Sequence, residues 1–222
     1  MKMLPRLLSL PFLFALLLVS AGAAASCNSL EWRRGKPFDY YAAETREHTG
    51  TYAGGLLHLV EKHHFSSNVR NLVRGSTGAL LGDLLFVLTS IPNHPGALDA
   101  YSRYDKRYRD SALFREQQKG RRARYTPDCF FDRAVRLFPE AAETRVAWAI
   151  HKYRNGELDE AASLLEEAIA QQPEYIEAHY NLGLIYASQR KLALAKKHAE
   201  VAYQAGYPLE GLQNKIAELE AN

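Results

Sequence analysis

Residues 142–175 read AETRVAWAIHKYRNGELDEAASLLEEAIAQQPEY, and residues 176–209 read IEAHYNLGLIYASQRKLALAKKHAEVAYQAGYPL. Set one above the other, the two lines share a period of about 34 residues. Ala161 falls over Ala195 and Ala168 over Ala202. Leu158, Ala161, Leu164, Leu165, Ala168 and Ile169 recur at helical spacing, which predicts a helix with one buried face. Leu182, Gly183 and Tyr186 stand ahead of Leu192, Ala195 and Ala202 in the same way. Asn155-Gly156 lies between the two apolar stretches of the first line, as a turn between helices would. Each line therefore predicts two antiparallel helices, with small residues where the helices cross closely.

The frame extends both ways from this pair. Gly206-Tyr207-Pro208 supplies a helix stop, with Gly at the end and Pro beyond it. Leu212, Ile216 and Leu219 then lie on one stripe, so residues 209–222 are expected to form a helix capping the stack. Going backwards, Pro139 matches Pro173, and Phe131 and Ala134 fall on the aromatic and small positions of a second helix. The preceding proline, Pro92, stands further from Pro139 than one period allows. The excess is assigned to an insertion at about 112–125. An earlier hairpin is expected from about Glu61 to His94, with its turn at residues 74–78 and its second helix over Leu80–Leu88. Residues 61–141 thus read as two degenerate hairpins. Residues 26–60 lack periodicity and read as an irregular N-terminal arm.

Residues 142–208 resemble tetratricopeptide repeats. The resemblance implies an all-α fold, a right-handed superhelix of about four helical hairpins with the arm at one end and the capping helix at the other. It also implies a protein-holding surface rather than an enzyme. The whole chain is more loosely similar to exported proteobacterial tetratricopeptide proteins without an assigned activity. Phe38-Asp39-Tyr40, Val60-Glu61, His64-Phe65, Gly82-Asp83, Pro92-Asn93-His94, residues 129–134 and His179-Tyr180-Asn181-Leu182-Gly183 carry that likeness. It implies export and pairing of Cys27 with Cys129.

Residues 1–25 read as a signal peptide: Lys2 and Arg6, an apolar run from Leu7 to Val19, then small residues from Ala21 to Ser26. The run is short for a membrane span, which needs roughly 20 residues. An exported protein of the periplasm is expected. Two cysteines in an oxidising compartment favour a Cys27–Cys129 disulfide. Cys27 also lies just past the small-residue run, where a lipidated cysteine would stand. Ala24-Ala25-Ser26 matches a lipoprotein signal poorly, and two free thiols are the third possibility.

Charge is unevenly spread. Residues 100–126 hold nine Lys/Arg and three Asp/Glu, whereas residues 140–222 hold eight and thirteen. Such polarity can orient a partner. The basic stretch is too confined to suggest nucleic acid. Within it, Lys119, Arg121, Arg122 and Arg124 are expected either to be solvated or to meet an acidic partner or anionic lipid headgroups.

By analogy with such arrays, first-helix residues line a concave face. Here these are Glu143, Val146, Ile150 and Tyr153, then Glu177, Tyr180, Leu184 and Ala187. An apolar, tyrosine-bearing stripe with acidic ends suits an amphipathic helix or an extended peptide. The alternative is that the arm or the capping helix fills the groove. The chain has no nucleophile elbow, no zinc-protease helix and no complete phosphate loop. Gly75-Ser76-Thr77-Gly78 lacks the lysine and the preceding strand, and reads as a hairpin turn. Histidines crowd between His48 and His94, but without ligand spacing, and His63 and His64 point different ways. Neither a metal site nor a cofactor is expected. The resulting expectation is a noncatalytic scaffold or assembly factor for an envelope complex, with a protein or peptide partner. Contact with a membrane would follow if Cys27 were lipidated. An outer-membrane lipoprotein adaptor and a metal-handling protein using the His48–His94 region are the alternatives.

Overall fold

The structure is a computed structural model that describes Cys27, residues 36–47 and residues 55–221. The expected leader and His48 lie outside the described residues. Within them the chain is helical and no strand is present. The helices are α1 (Ala43–Arg46), α2 (Gly55–His64), α3 (Ser67–Arg70), α4 (Leu80–Ser90), α5 (Pro95–Asp110), α6 (Ala112–Gln117), α7 (Pro127–Leu137), α8 (Ala142–Arg154), α9 (Leu158–Gln171), α10 (Ile176–Ser188), α11 (Leu192–Gln204) and α12 (Gly211–Glu220). Among the described residues no helix is long and apolar enough to cross a membrane.

The repeat frame is visible in the backbone. Gly156 (φ +84°) and Arg190 (φ +59°) hold the same left-handed position one period apart. Behind each, the next N–H reaches back over the helix end: Glu157 N to Lys152 O at 3.0 Å, and Lys191 N to Tyr186 O at 2.8 Å. This is the closure that lets a helix stop and reverse. Pairs α8–α9 and α10–α11 then pack through Ala142, Ala149, Ala161, Ala168, Ala178, Ala195 and Ala202, all fully buried. Small side chains allow close approach of the helix backbones, and Leu165, Leu182 and Ile185 fill the remaining space. α12 covers the end of the stack with Leu212 and Ile216. A Cβ on Gly183 would sit 2.5 Å from Leu212 Cδ2, so the glycine is needed for α12 to dock.

The preceding half is built differently. Its core is large and aromatic: Phe65, Tyr101, Tyr104, Phe114, Phe130 and Phe131, with Leu84, Leu88 and Ile91. α2 and α4 form the first hairpin, with α3 and the turn between them. α5 and α7 form the second, separated by the insertion, which holds α6 followed by the loop to Thr126. Pro95 and Pro127 open α5 and α7 at the first helical turn, where a missing N–H costs nothing. Leu80 starts α4 where a second helix was expected, whereas the stretch before it differs. The arm expected to be irregular over 26–60 contains α1 and most of α2. The reason is that Leu56, Leu57 and Val60 pack into the core. Gly55 (φ +82°) reads as a loop signal, yet it starts α2 because a Cβ there would lie 2.6 Å from Arg46 O.

The two halves join through α8. The rings of Phe131 and Trp148 stack nearly parallel at 6.1 Å. His151 meets Ser102 Oγ at 2.7 Å, and Arg154 pairs with Asp99 at 2.8 Å. Lys152, almost fully buried, is held by Asp128, Glu157 and Glu160. Burial opposes its charge, but those three carboxylates hold its pKa above the usual range. Cys27 is disulfide-bonded to Cys129 in the first turn of α7.

Candidate functional site

The face expected to be concave draws on α8 and α10, and its residues are unequally exposed. Val146 and Tyr180 are buried, Glu143, Ile150, Glu177 and Leu184 are half-buried, and Tyr153 is exposed (37%). Ala187 is buried as well. Tyr180 is covered by α12. Its ring packs at a tilt against Tyr207, centroids 4.3 Å apart, and backbone N–H groups of Gly211 and Leu212 donate to its hydroxyl. The expectation that Tyr180 is an open anchor is therefore corrected: its environment is the docked capping helix.

At the other end of the groove the arm comes in. Phe38 N donates to Ser90 O at 3.0 Å, and Tyr40 N to Asn93 Oδ1 at 2.8 Å. Asn93 Nδ2 in turn donates to Asp39 at 2.6 Å. Thus pinned to the corner between α4 and α5, the arm brings Tyr41 within electrostatic reach of Glu143 and Glu177. Burial, then Glu143, Tyr40 and Glu177, push the Tyr41 hydroxyl pKa well up, against Arg46. Tyr175 is pushed up by burial, Glu177, Glu143 and Tyr41. Tyr207 is raised by burial, Glu177 and Tyr180. Two carboxylates thus lie within electrostatic reach of three tyrosines, Tyr41, Tyr175 and Tyr207. Glu177 accepts a long hydrogen bond from Tyr175 at 3.4 Å. Among the described residues neither Glu143 nor Glu177 has a cation in ion-pair contact. The open part of the groove between this cluster and α12 carries Ile150, Tyr153 and Leu184. Tyr153 meets Ser188 at 3.3 Å, and that bond, with Lys215 of α12, lowers its pKa despite partial burial.

Tyr41, Tyr175, Tyr207 and Lys215 belong to this site but have no place in the concave-face pattern. Tyr175 precedes its helix, Tyr207 follows one, and Tyr41 comes from a segment without periodicity. Only a three-dimensional description brings them to Glu143 and Glu177.

Among the described residues the histidine region assembles no metal centre. His64 Nδ1 bonds to Asp83 at 2.9 Å and His94 Nε2 to Glu61 at 3.2 Å, while His58 and His63 are exposed. Among the described residues no three His, Cys, Asp or Glu side chains are grouped to hold a metal ion. The basic insertion splits in two. Arg122 lies 3.8 Å from Asp105 and Arg124 stacks on Tyr125, whereas Lys119 and Arg121 face a cleft beside the 73–80 turn.

Comparison with known proteins places the repeats. A tetratricopeptide repeat family model matches residues 146–208. The crystal structure of a thermophilic TPR protein from Thermus thermophilus is similar at 20% identity and a TM-score of 0.44, over 64% of this chain and 72% of that one. No curated protein matches. Residues 146–208 are thus similar to tetratricopeptide repeats.

Proposed function

We propose that the protein is a noncatalytic interaction module that holds a partner segment bearing a lysine or arginine, in the groove of α8 and α10. The observation that carries this is the pair Glu143 and Glu177, half-buried, within electrostatic reach of Tyr41, Tyr175 and Tyr207, and without a cation of their own among the described residues. A cation placed there gains from both carboxylates and from tyrosine faces, an interaction of about 0.5–2 kcal/mol per ring depending on desolvation. Apolar residues next to that cation would lie on Ile150, Tyr153 and Leu184. The leader-like N-terminal segment and the Cys27–Cys129 bond favour an exported protein of the periplasm, acting as a scaffold or assembly factor for an envelope complex. Because the disulfide uses the Cys27 sulfur, a lipid anchor on that atom would have to replace it.

The test is affinity purification from cross-linked cells with the wild-type protein and a Glu143→Gln/Glu177→Gln variant, both checked for folding by circular dichroism. Tyr153→Ala supplies a third arm. A partner recovered with wild type, lost with the double variant and reduced with Tyr153→Ala supports the reading. A partner recovered equally with all three places binding elsewhere on the molecule.

A further inference from the structure

Two stretches singled out in the sequence, the Gly75-Ser76-Thr77-Gly78 turn and the basic insertion, are well separated in the chain. The fold brings them together. An open cleft of about 540 Å³ lies between them, lined by Val73, Arg74 and the turn on one side and by Gln117, Gln118, Lys119 and Arg121 on the other. Three positive side chains thus converge on one concave surface. None of the three makes a hydrogen bond or ion pair through its side chain among the described residues.

The turn itself contributes shape rather than ligands. Its donors already face inward: Asp83 accepts from Ser76 N at 2.6 Å, from Thr77 N at 3.2 Å and from Thr77 Oγ1 at 2.6 Å. Asp83 is fully buried, and one of its oxygens also meets His64. The Asp83 carboxylate is therefore turned toward the turn's own donors and engaged by them. A phosphate-loop cradle is excluded on the same ground. What remains for a ligand is the three cations and the amides of Gln117 and Gln118. Gly75 keeps the turn tight, since a Cβ there would lie 2.2 Å from Gly78 O.

Two exposed aliphatic side chains lie at or near this cleft: Val73 in its lining and Leu113 on α6. Val73 is 66% exposed and Leu113 is 65% exposed, the two most exposed large hydrophobic residues described. Leu113 lies one helical turn from Gln117 on α6, so it stands on the cleft side of that helix. Positive side chains around a concave surface, with bare aliphatic groups beside them, match the two chemistries of a membrane surface: anionic phosphate and acyl chain. A free phosphate would satisfy the cations but leaves Val73 and Leu113 without a role.

We infer that the cleft between the 73–80 turn and the 117–121 segment binds the phosphate of an anionic phospholipid headgroup, with Val73 and Leu113 entering the lipid surface. The site is formed by elements other than the α8–α10 groove, so it does not depend on that groove's function.

Vesicle co-sedimentation tests it, using the full chain with phosphatidylcholine vesicles with and without phosphatidylglycerol. Wild type should pellet only with phosphatidylglycerol, and binding should fall with added salt as exposed charges are screened. Arg74→Glu/Arg121→Glu should weaken binding by at least about tenfold, since each basic residue near an anionic surface contributes appreciably. Arg122→Glu/Arg124→Glu makes the same change of net charge outside the cleft and should weaken it far less. Val73→Asp/Leu113→Asp should also release the protein. Circular dichroism confirms folding of each variant, and all six positions are exposed. Equal losses in the two charge-reversed variants would mean diffuse charge attraction and overturn the site. Calorimetry with inorganic phosphate or pyrophosphate forms the second arm. Binding of those anions without binding of vesicles would overturn the lipid assignment, and binding of neither would overturn the site.

Discussion

Residues 142–204 and residues 55–137 are both stacks of helical hairpins, but they are held together by different means. The first uses alanines at a fixed period, matching turns one repeat apart and aliphatic fill. The second uses large aromatic residues, connections of unequal length and single polar side chains that hold one loop each. Asp83 holds the turn before α4, Asn93 holds the arm, and Tyr101, Tyr104 and Tyr108 donate to the carbonyls of Tyr125, Arg121 and Gly120 along the insertion. The comparison teaches that a regular stack needs only its frame, whereas an irregular one needs a separate pin for every departure from it. The groove sits on the regular half, and the arm reaches it only because it is pinned to the irregular half.

The largest expected effect distinguishes the halves directly. Cys129→Ser should lower stability by about 4 kcal/mol in the chain-entropy account, because Cys27 and Cys129 close a loop of roughly 100 residues. The loss, read by denaturant unfolding, should fall on the half that contains α7. Unchanged unfolding would mean that the pins suffice without the bond. Next comes Leu182→Ala in the regular half, expected to cost about 2–5 kcal/mol because the side chain is fully buried between helices. A melt within a degree or two of wild type would break the description of that core.

Mild acid should weaken the regular half. His179 Nδ1 lies 3.0 Å from His198 Nδ1, and His179 Nε2 donates to Pro173 O at 2.9 Å. With that donor fixed, His179 accepts and His198 donates in the neutral pair. Burial first, then His179 and Lys197, lower the His198 pKa to about 4, with Glu166 opposing. Its folded pKa thus lies below the unfolded value of 6.5. The unfolded chain takes up the proton first, so stability is present above about pH 6.5 and declines toward pH 4. His198→Gln should flatten that decline, and an equal decline in the variant would place the titration elsewhere. The smallest effect is at Arg190, a non-glycine in the left-handed position that Gly156 holds in the preceding repeat. Arg190→Gly should raise stability by up to about 1 kcal/mol by relieving that conformation. A loss on substitution would mean that glycine's greater freedom in the unfolded chain outweighs the relief.

Much of this contrast was legible in the sequence. Repetition revealed the two hairpins that hold α8 to α11, because period, turn and small residues all agree. The over-long spacing between Pro92 and Pro139 located the insertion, and Phe131 and Ala134 fell on buried positions as expected. The start of α2 was not legible, because Gly55 looks like a loop residue until its contact with α1 is known. The coverage of Tyr180 was legible only as the alternative in which the capping helix fills the groove. The concave-face pattern names residues by their position on α10, and it carries no information about where α12 docks. Tyr41 joins the groove through hydrogen bonds at Ser90 and Asn93, which no periodicity encodes.

The most direct test of this division is hydrogen exchange on the full chain, with and without reduction of the Cys27–Cys129 bond. The account predicts that reduction lowers amide protection in α4, α5 and α7 while α9, α10 and α11 keep theirs, because each half opens as its own unit. Equal loss of protection in both sets of helices would contradict it, as would unchanged protection in both.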